Sequence, residues 1–259
     1  MPEYTAVTTP RIDVLIPVFN GASTIQSAIA SIQAQTVRDI RIIVVNDGSA
    51  DQSAAIIAAM AEQDDRIVLI DRVNGGIVNA LNDGLAVCTA AFVARHDADD
   101  LAMPDRFQRQ LNWFATHPKC NAVSGAIIHI DEHGREISPV TIVRSPDESD
   151  PTHYPQKEPY LVHPFLMMRR EAVQALGGYR HVYHAEDTDL YWRMQEIGEI
   201  ANMPDLLGYY RVHDQSITGA STLNGRIAAM SSQLSGLSAM RRRATKGWTI
   251  GWANWGRPW

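Results

Sequence analysis

Three carboxylates fall within four residues of the stretch ARHDADDLAMPDRF, residues 94–107: Asp97, Asp99 and Asp100, with Ala98 between the first two. They follow the apolar run AAFVA, which reads as a buried strand. Like charges this close repel, and each loses hydration as it nears a core. A divalent cation, a helix N-terminus or plain solvent is needed to offset that cost. A D-x-D at a strand end presents carboxylate oxygens to a hard cation such as Mg²⁺ or Mn²⁺, with positions left open for phosphates. The alternative is that Asp99 or Asp100 caps the following helix and the others are solvated.

Other residue types capable of chemistry stand in turns along the chain. Asp47 lies in NDGS, where its carboxylate either accepts from a base N–H or closes an Asx-type turn. Arg72, with Asn74-Gly75-Gly76, can approach a base or a phosphate, or simply start a helix. Glu186-Asp187 opens a helical stretch, as a general base facing the metal site or as a partner of the helix dipole. Four histidines, His163, His181, His184 and His213, lie near that pair. His213, after the apolar YYRV, is the best placed of them for a metal ligand.

The elements that position these residues follow from periodicity. RIDVLIPVFN reads as a buried strand closed by Pro17, and ASTIQSAIASIQAQT as a helix with Ile25, Ile29 and Ile32 on one face. RIIVV is a second strand and AAIIAAMAEQ a helix, with Asp51 as its N-cap; RIVLI and GGIVNALNDGLAVC repeat the unit. AAFVARH is a fourth strand, and PDRFQRQLNWFATH a helix with proline at its start. Such alternation predicts an α/β fold, a mostly parallel Rossmann-like sheet flanked by helices. Ligands of such sheets bind beyond the carboxyl ends of the strands. Pro17-Val18-Phe19-Asn20, Asp47, Arg72 to Asn74 and Asp97 to Asp100 all sit there.

The second half breaks the alternation. NAVSGAIIHID and REISPVTIV read as a hairpin, residues 144–159 as a long acidic and proline-rich loop, FLMMRR as a short strand and GYYRVH as another. REAVQALGGY is a helix ended by a glycine pair, and AEDTDLYWRMQEIG a helix ended by Gly198.

The chain has 259 residues, 45% of them hydrophobic, enough for a large core without disulfides. Two cysteines, no long apolar span and no signal-peptide plan lead to the expectation of a cytoplasmic protein. Of the net charge of −6, the last 19 residues contribute five cations and no acid, which leaves −11 on residues 1–240. An acidic body lacks the basic footprint of general nucleic-acid binding. The first turn, PVFNGAS, is not the G-x-G-x-x-G of a dinucleotide-binding dehydrogenase.

VLIPVFN, IIVVNDGSADQS, RVNGGIVNALNDGL, FVARHDADDLAMPDRFQRQ, HPFLMMRR, GGYR, AEDTDLYWRM and YYRVH together resemble the family 2 glycosyltransferases of the GT-A fold, in that family's order, over about residues 10–220. The resemblance implies metal-dependent, inverting transfer of a sugar from a nucleoside-diphosphate sugar, with UDP the expected nucleotide, to a glycan or lipid-linked glycan hydroxyl in cell-surface polysaccharide or glycolipid assembly. It implies a domain over 1–220, with 10–118 binding the donor and 119–220 supplying the acceptor side and the base, and an extension over 221–259. Pro17, Val18, Phe19, Asn20 and Asp47 would hold the nucleoside, and Arg72 and Asn74 would flank base and ribose. Asp97, with Ala98 beside it, would contact ribose or sugar, Asp99 and His213 would bind Mn²⁺ or Mg²⁺, and Asp187 would be the general base with Glu186 next to it. One departure is Asn46, where relatives often carry a second aspartate.

The tail, MRRRATKGWTIGWANWGRPW, pairs cations with four tryptophans, as interfacial membrane segments do, and packing on the domain or a partner subunit is the equal alternative. Two other functions compete. A nucleotidyltransferase would want a basic glycine-rich loop at the first strand, which PVFNGAS lacks. A non-catalytic sugar-nucleotide-binding module would have no use for the Glu186-Asp187 pair.

Overall fold

The computed structural model describes residues 11–150, 152–153, 157–182, 184–212, 231, 234–238 and 240–241. His213 and nearly all of the basic, tryptophan-rich tail lie outside the described residues, as does part of the acidic loop.

In chain order the elements are β1 (Ile12–Val18), α1 (Ile25–Gln33), β2 (Ile40–Asp47), α2 (Ser53–Ala61), β3 (Ile67–Arg72), α3 (Ile77–Val87), β4 (Phe92–Arg95), β5 (Leu101–Ala102), α4 (Arg106–Thr116), β6 (Cys120–Ile130), β7 (Met167–Arg169), α5 (Arg170–Ala175), α6 (Glu186–Met194) and β8 (Glu199–Arg211). They form a mixed sheet in the order β3-β2-β1-β4-β7-β6-β8-β5. The first four strands are parallel, β7 is antiparallel to both its neighbours, and β8 runs parallel to β6.

Alternation along β1 explains the layering. Ile12, Val14 and Ile16 join a core with Ile25, Ile29 and Ile32 of α1 and Phe107, Leu111 and Phe114 of α4. Leu15 faces the other way, into a core with α3, Tyr179 and Leu190, Tyr191 and Met194 of α6. Burying one such Ile or Leu is worth about 1.5–3 kcal/mol, so the apolar period alone ties helices to both faces. α3 comes closest: a Cβ on Gly84 would lie 2.1 Å from Leu15 Cδ1. Asp13, fully buried in β1, is satisfied by Arg41 Nε at 2.8 Å and by the Thr89 and Ala90 N–H groups at 2.6 and 2.8 Å.

Several boundaries differ from the sequence expectations. Pro17 lies inside β1, paired with Val45, because β4 reaches only Leu15 and the strand is open on that side. Residues 135–143 give isolated bridges, Ile130 with Glu136 and Ile127 with Thr141, instead of a strand; Pro139 lies between those bridges and has no N–H to donate. β8 begins at Glu199, nine residues before the expected GYYRVH strand. Pro204 and Asp205 sit where its register against β6 slips, between Gly125 and Ile127, and this break hides the strand from a periodicity count. Asp51 lies one residue before the assigned cap of α2, yet its Oδ1 accepts the Ser53 N–H at 3.0 Å, so it serves the helix start as expected.

Candidate active site

Four polar turns meet at the carboxyl edge of β1, β2, β3 and β4. The first is locked onto the second. The Asn20 N–H donates to Ser49 Oγ at 2.9 Å, and Asn20 Oδ1 accepts from the Ala50 N–H at 2.8 Å. The Gly21 and Ala22 N–H groups donate to Ser53 Oγ and Asp51 Oδ2. Asn20 takes a φ of 52°, a left-handed conformation that asparagine tolerates. A Cβ on Gly21 would stand 3.6 Å from Ala98 Cβ, so the first turn also touches the D-x-D turn.

Asp47 organises the third turn. Its Oδ1 accepts from Arg72 Nη1 and from the Gly75 N–H, and its Oδ2 accepts from the Gly76 N–H at 2.8 Å. Its carbonyl accepts from Asn74 Nδ2 at 2.9 Å. Gly76 has a φ of 85°, so a side chain there would be strained. Arg72 Nε also donates to Asp83 Oδ2 at 2.7 Å, which fixes its guanidinium at the rim. Phe19 and Val73 stand exposed on the two sides of this cradle, at 55% and 88% of full accessibility. Asn46 Nδ2 donates to Asp71 Oδ1 at 2.7 Å; a carboxylate at position 46 would oppose Asp71, which accounts for the asparagine.

Oxygens of Asp97, Asp99 and Asp100 lie within 4.8 Å of one another. Asp100 does not cap a helix: α4 starts at Arg106 with Asp105 before it. Asp100 is buried, its Oδ1 accepts the Arg211 N–H at 2.7 Å, and its Oδ2 is buried without a hydrogen bond. Burial, then the charges of Asp97 and Asp99, push its carboxyl well above the carboxylate range. Three hard oxygen donors around an orphaned buried oxygen fit a divalent cation. Arg211 secures the turn from β8, through Nε to the Asp99 carbonyl at 2.8 Å and Nη1 to the Asp131 and Glu132 carbonyls.

Behind the carboxylates lie two buried arginines that reading the sequence did not single out. Arg95 donates to Asp97 Oδ1 and to the His96 carbonyl. Arg106 donates from Nη2 to the Arg95 carbonyl at 2.7 Å and from Nε to Gln110 Oε1; burial lowers its pKa to about 9. At a strand end and a helix start, arginine reads as an ordinary surface residue. The nearest signal was the unusual ARHDADD, with a cation directly before the acids.

Glu186 and Asp187 stand in the first turn of α6. Burial, then the charge of Asp187, raises Glu186 to about 7, while Arg95 pulls it the other way. Burial also raises Asp187, whose Oδ1 is held by the Thr188 N–H at 2.6 Å. Both acids are half-buried. Asp189 points elsewhere, into an ion pair with Arg193 at 2.7 Å that anchors the helix to the Leu176 and Gly178 carbonyls. Of the histidines, His163 packs against Tyr179 and Tyr191 with its Nε2 2.8 Å from the Tyr179 hydroxyl, and His181 bonds Asn79 at the surface. Phe19, Asn20, Asp47, Arg72, Asn74, Asp97, Ala98 and Asp99 thus lie at or just beyond the carboxyl ends of β1 to β4, Pro17 and Val18 are buried in the end of β1, and Glu186 and Asp187 open α6. Among the described residues no helix is long and apolar enough to cross a membrane.

A mixed sheet with polar turns at the ends of its parallel strands defines the class of the fold, and comparison with known proteins gives the family. The model of glycosyl transferase family 2 matches residues 13–177, more than half of the chain. The chain belongs to that family and is a glycosyltransferase. It is 32% identical over 200 residues to the amylovoran biosynthesis glycosyltransferase AmsE of Erwinia amylovora, covering 75% of this chain and 73% of AmsE. Among solved structures, the mannosyltransferase PcManGT of Pyrobaculum calidifontis, in complex with GDP-Man and Mn²⁺, superposes with a TM-score of 0.64 at 18% identity, over 94% of this chain and 77% of that one. S. aureus TarS in complex with UDP-GlcNAc gives 0.68 at 15% identity, over 91% and 73%. At these identities the structures speak for the shared GT-A fold.

Proposed function

We propose that this chain transfers a glycosyl group, with inversion, from a nucleoside-diphosphate sugar to an acceptor hydroxyl. The observation that carries the reading is a three-carboxylate cluster held by Arg95 at Asp97, together with a carboxyl pair of raised proton affinity at the start of α6. In this reading residues 10–118 bind the donor, with Asp47, Arg72 and Asn74 around the nucleoside and Phe19 against the base. Asp99, beside Asp97 and Asp100, holds Mn²⁺ or Mg²⁺, with His213 as a further ligand. A cation there supplies compensation for charge that grows on the leaving diphosphate.

The acceptor hydroxyl is a weak nucleophile at neutral pH. Asp187 takes its proton as the new oxygen–carbon bond forms at the anomeric centre and the bond to the diphosphate oxygen breaks, the electron pair leaving with the nucleotide. Thr188 orients the accepting carboxylate. Burial raises the proton affinity of Asp187, which favours proton uptake there, and such assistance is worth about 10²–10⁴-fold. Attack from the side opposite the leaving group inverts the centre. AmsE acts in the biosynthesis of the polysaccharide amylovoran, and we place this chain in the same kind of assembly, with UDP as the preferred nucleotide.

The test is a binding and hydrolysis screen across UDP-, GDP- and dTDP-sugars, with and without Mn²⁺. It compares wild type with Asp99→Ala and Asp187→Asn. One donor should bind only with metal, Asp99→Ala should lose it, and Asp187→Asn should bind it but turn over about 10²–10⁴-fold more slowly. Metal-independent binding, or full turnover in Asp187→Asn, refutes the assignment.

A further inference from the structure

The acceptor side of the cleft is bounded by three tyrosines close to Asp187. Tyr191 lies one turn along α6 from it, on the same helix face. Its hydroxyl donates to the Leu161 carbonyl at 3.4 Å, which docks residues 160–162 against that face. Tyr179 is also buried and meets His163. Tyr160 differs: Leu161 and Val162 after it are buried, while Tyr160 as a residue remains 49% exposed. Burial raises all three phenols, and the charge of Asp187 adds to the shift.

Tyr160 is also held in place. Asn202 of β8 donates from Nδ2 to the Tyr160 carbonyl at 2.7 Å and to the Arg144 carbonyl at 2.8 Å. Arg144 Nη2 in turn donates to the Glu158 carbonyl at 3.0 Å. The backbone at Arg144 and Tyr160 is thereby tied to one strand, and Leu161 is tied to Tyr191, one helical turn from Asp187. A rigid aromatic face with a polar tip offers apolar contact at little entropic cost. A pyranose ring matches it, with a C–H face to stack and a rim of hydroxyls to turn toward a carboxylate.

Building on the transfer reading above, we propose that Tyr160 is the platform of an acceptor subsite, on which a sugar ring stacks with one hydroxyl directed at Asp187. Asn202 then holds the backbone of the platform in place. The site takes a pyranoside and makes no demand on the aglycone.

Saturation-transfer NMR tests this on the full chain with UDP and Mg²⁺ present, using methyl β-D-glucopyranoside, methyl β-D-galactopyranoside and methyl α-D-mannopyranoside as probes. In wild type and Tyr160→Phe, the ring C–H protons of at least one glycoside should be saturated. In Tyr160→Ala and Tyr160→Leu that glycoside should bind about tenfold more weakly. An unchanged UDP affinity shows that the variants are folded. Absence of saturation for all three glycosides in wild type, or less than a threefold loss in both the alanine and leucine variants, overturns the platform. Donor hydrolysis by wild type and Asp187→Asn is measured separately. If it fails to distinguish them, the base assignment falls while the platform is still judged on the NMR result.

Discussion

Replacing Glu186 by glutamine should stabilise the protein at alkaline pH and do almost nothing near pH 4.5. Burial and the neighbouring Asp187 charge hold the folded Glu186 near 7 instead of its ordinary 4.5. Between those values the folded state keeps a proton that the unfolded chain has released. Stability therefore falls as pH rises through this window, and the whole penalty is present above 7. At about 1.36 kcal/mol per pH unit the penalty is about 3 kcal/mol at most. Because Glu186 is half-buried, solvent screening leaves about 1–2 kcal/mol of it. In a chain of this size about 1 kcal/mol moves the Tm by about 2–4 °C. Glu186→Gln should then melt about 3–6 °C above wild type at about pH 8.5, shrinking to under about 1 °C near pH 4.5. Thermal unfolding of both proteins in EDTA, without donor, isolates the residue, since every other titrating group is common to the pair. A Tm difference that is the same at both pH values, or a variant that melts lower at about pH 8.5, would refute the assigned environment of Glu186.

Two further substitutions test the frame around the site. Asn46→Asp places a second carboxylate against Asp71 and removes the donor between them. It should cost about 1–3 kcal/mol near neutral pH and less near pH 5, where one acid can carry a proton, read as denaturation midpoints at the two pH values. Gly208→Ala puts a Cβ 2.5 Å from the Leu101 carbonyl and 2.1 Å from Phe165 Cε1. It should lower stability by about 1–3 kcal/mol by parting β5 from β8, measured by urea unfolding.

The position of the polar turns was legible because its signals are local. Each of β1 to β4 is a short apolar run, and each is followed at once by its polar turn, so Asp47, Arg72 and Asp97 to Asp100 declare their position by adjacency. Asn46 read as a departure from the family pattern, and only its bond to Asp71, 25 residues on, gives the reason. The supports of the site are non-local and were not legible. Arg95 and Arg106 look like surface cations, yet they are buried behind the acids; Arg211 looks like the end of a strand, yet its backbone and side chain hold the D-x-D turn. β8 was under-read because Pro204 and Asp205 interrupt its alternation at a register slip, and residues 135–143 were over-read because an apolar pattern does not show that a proline interrupts the ladder. Tyr160 carried no signal at all in a loop of prolines and acids.

The bond from the Arg211 N–H to Asp100 Oδ1 spans 111 residues. The four strands that make the nucleotide edge are complete by Arg95, and the family match ends at residue 177, but the acidic turn acquires its clamp only from the last residue of β8. A contact of such sequence separation closes late, after the local strand–helix units have formed. On the proposed function, a chain truncated before residue 211 should keep the turns after β1 to β3 but lose the clamp on Asp100, and with it metal-dependent turnover.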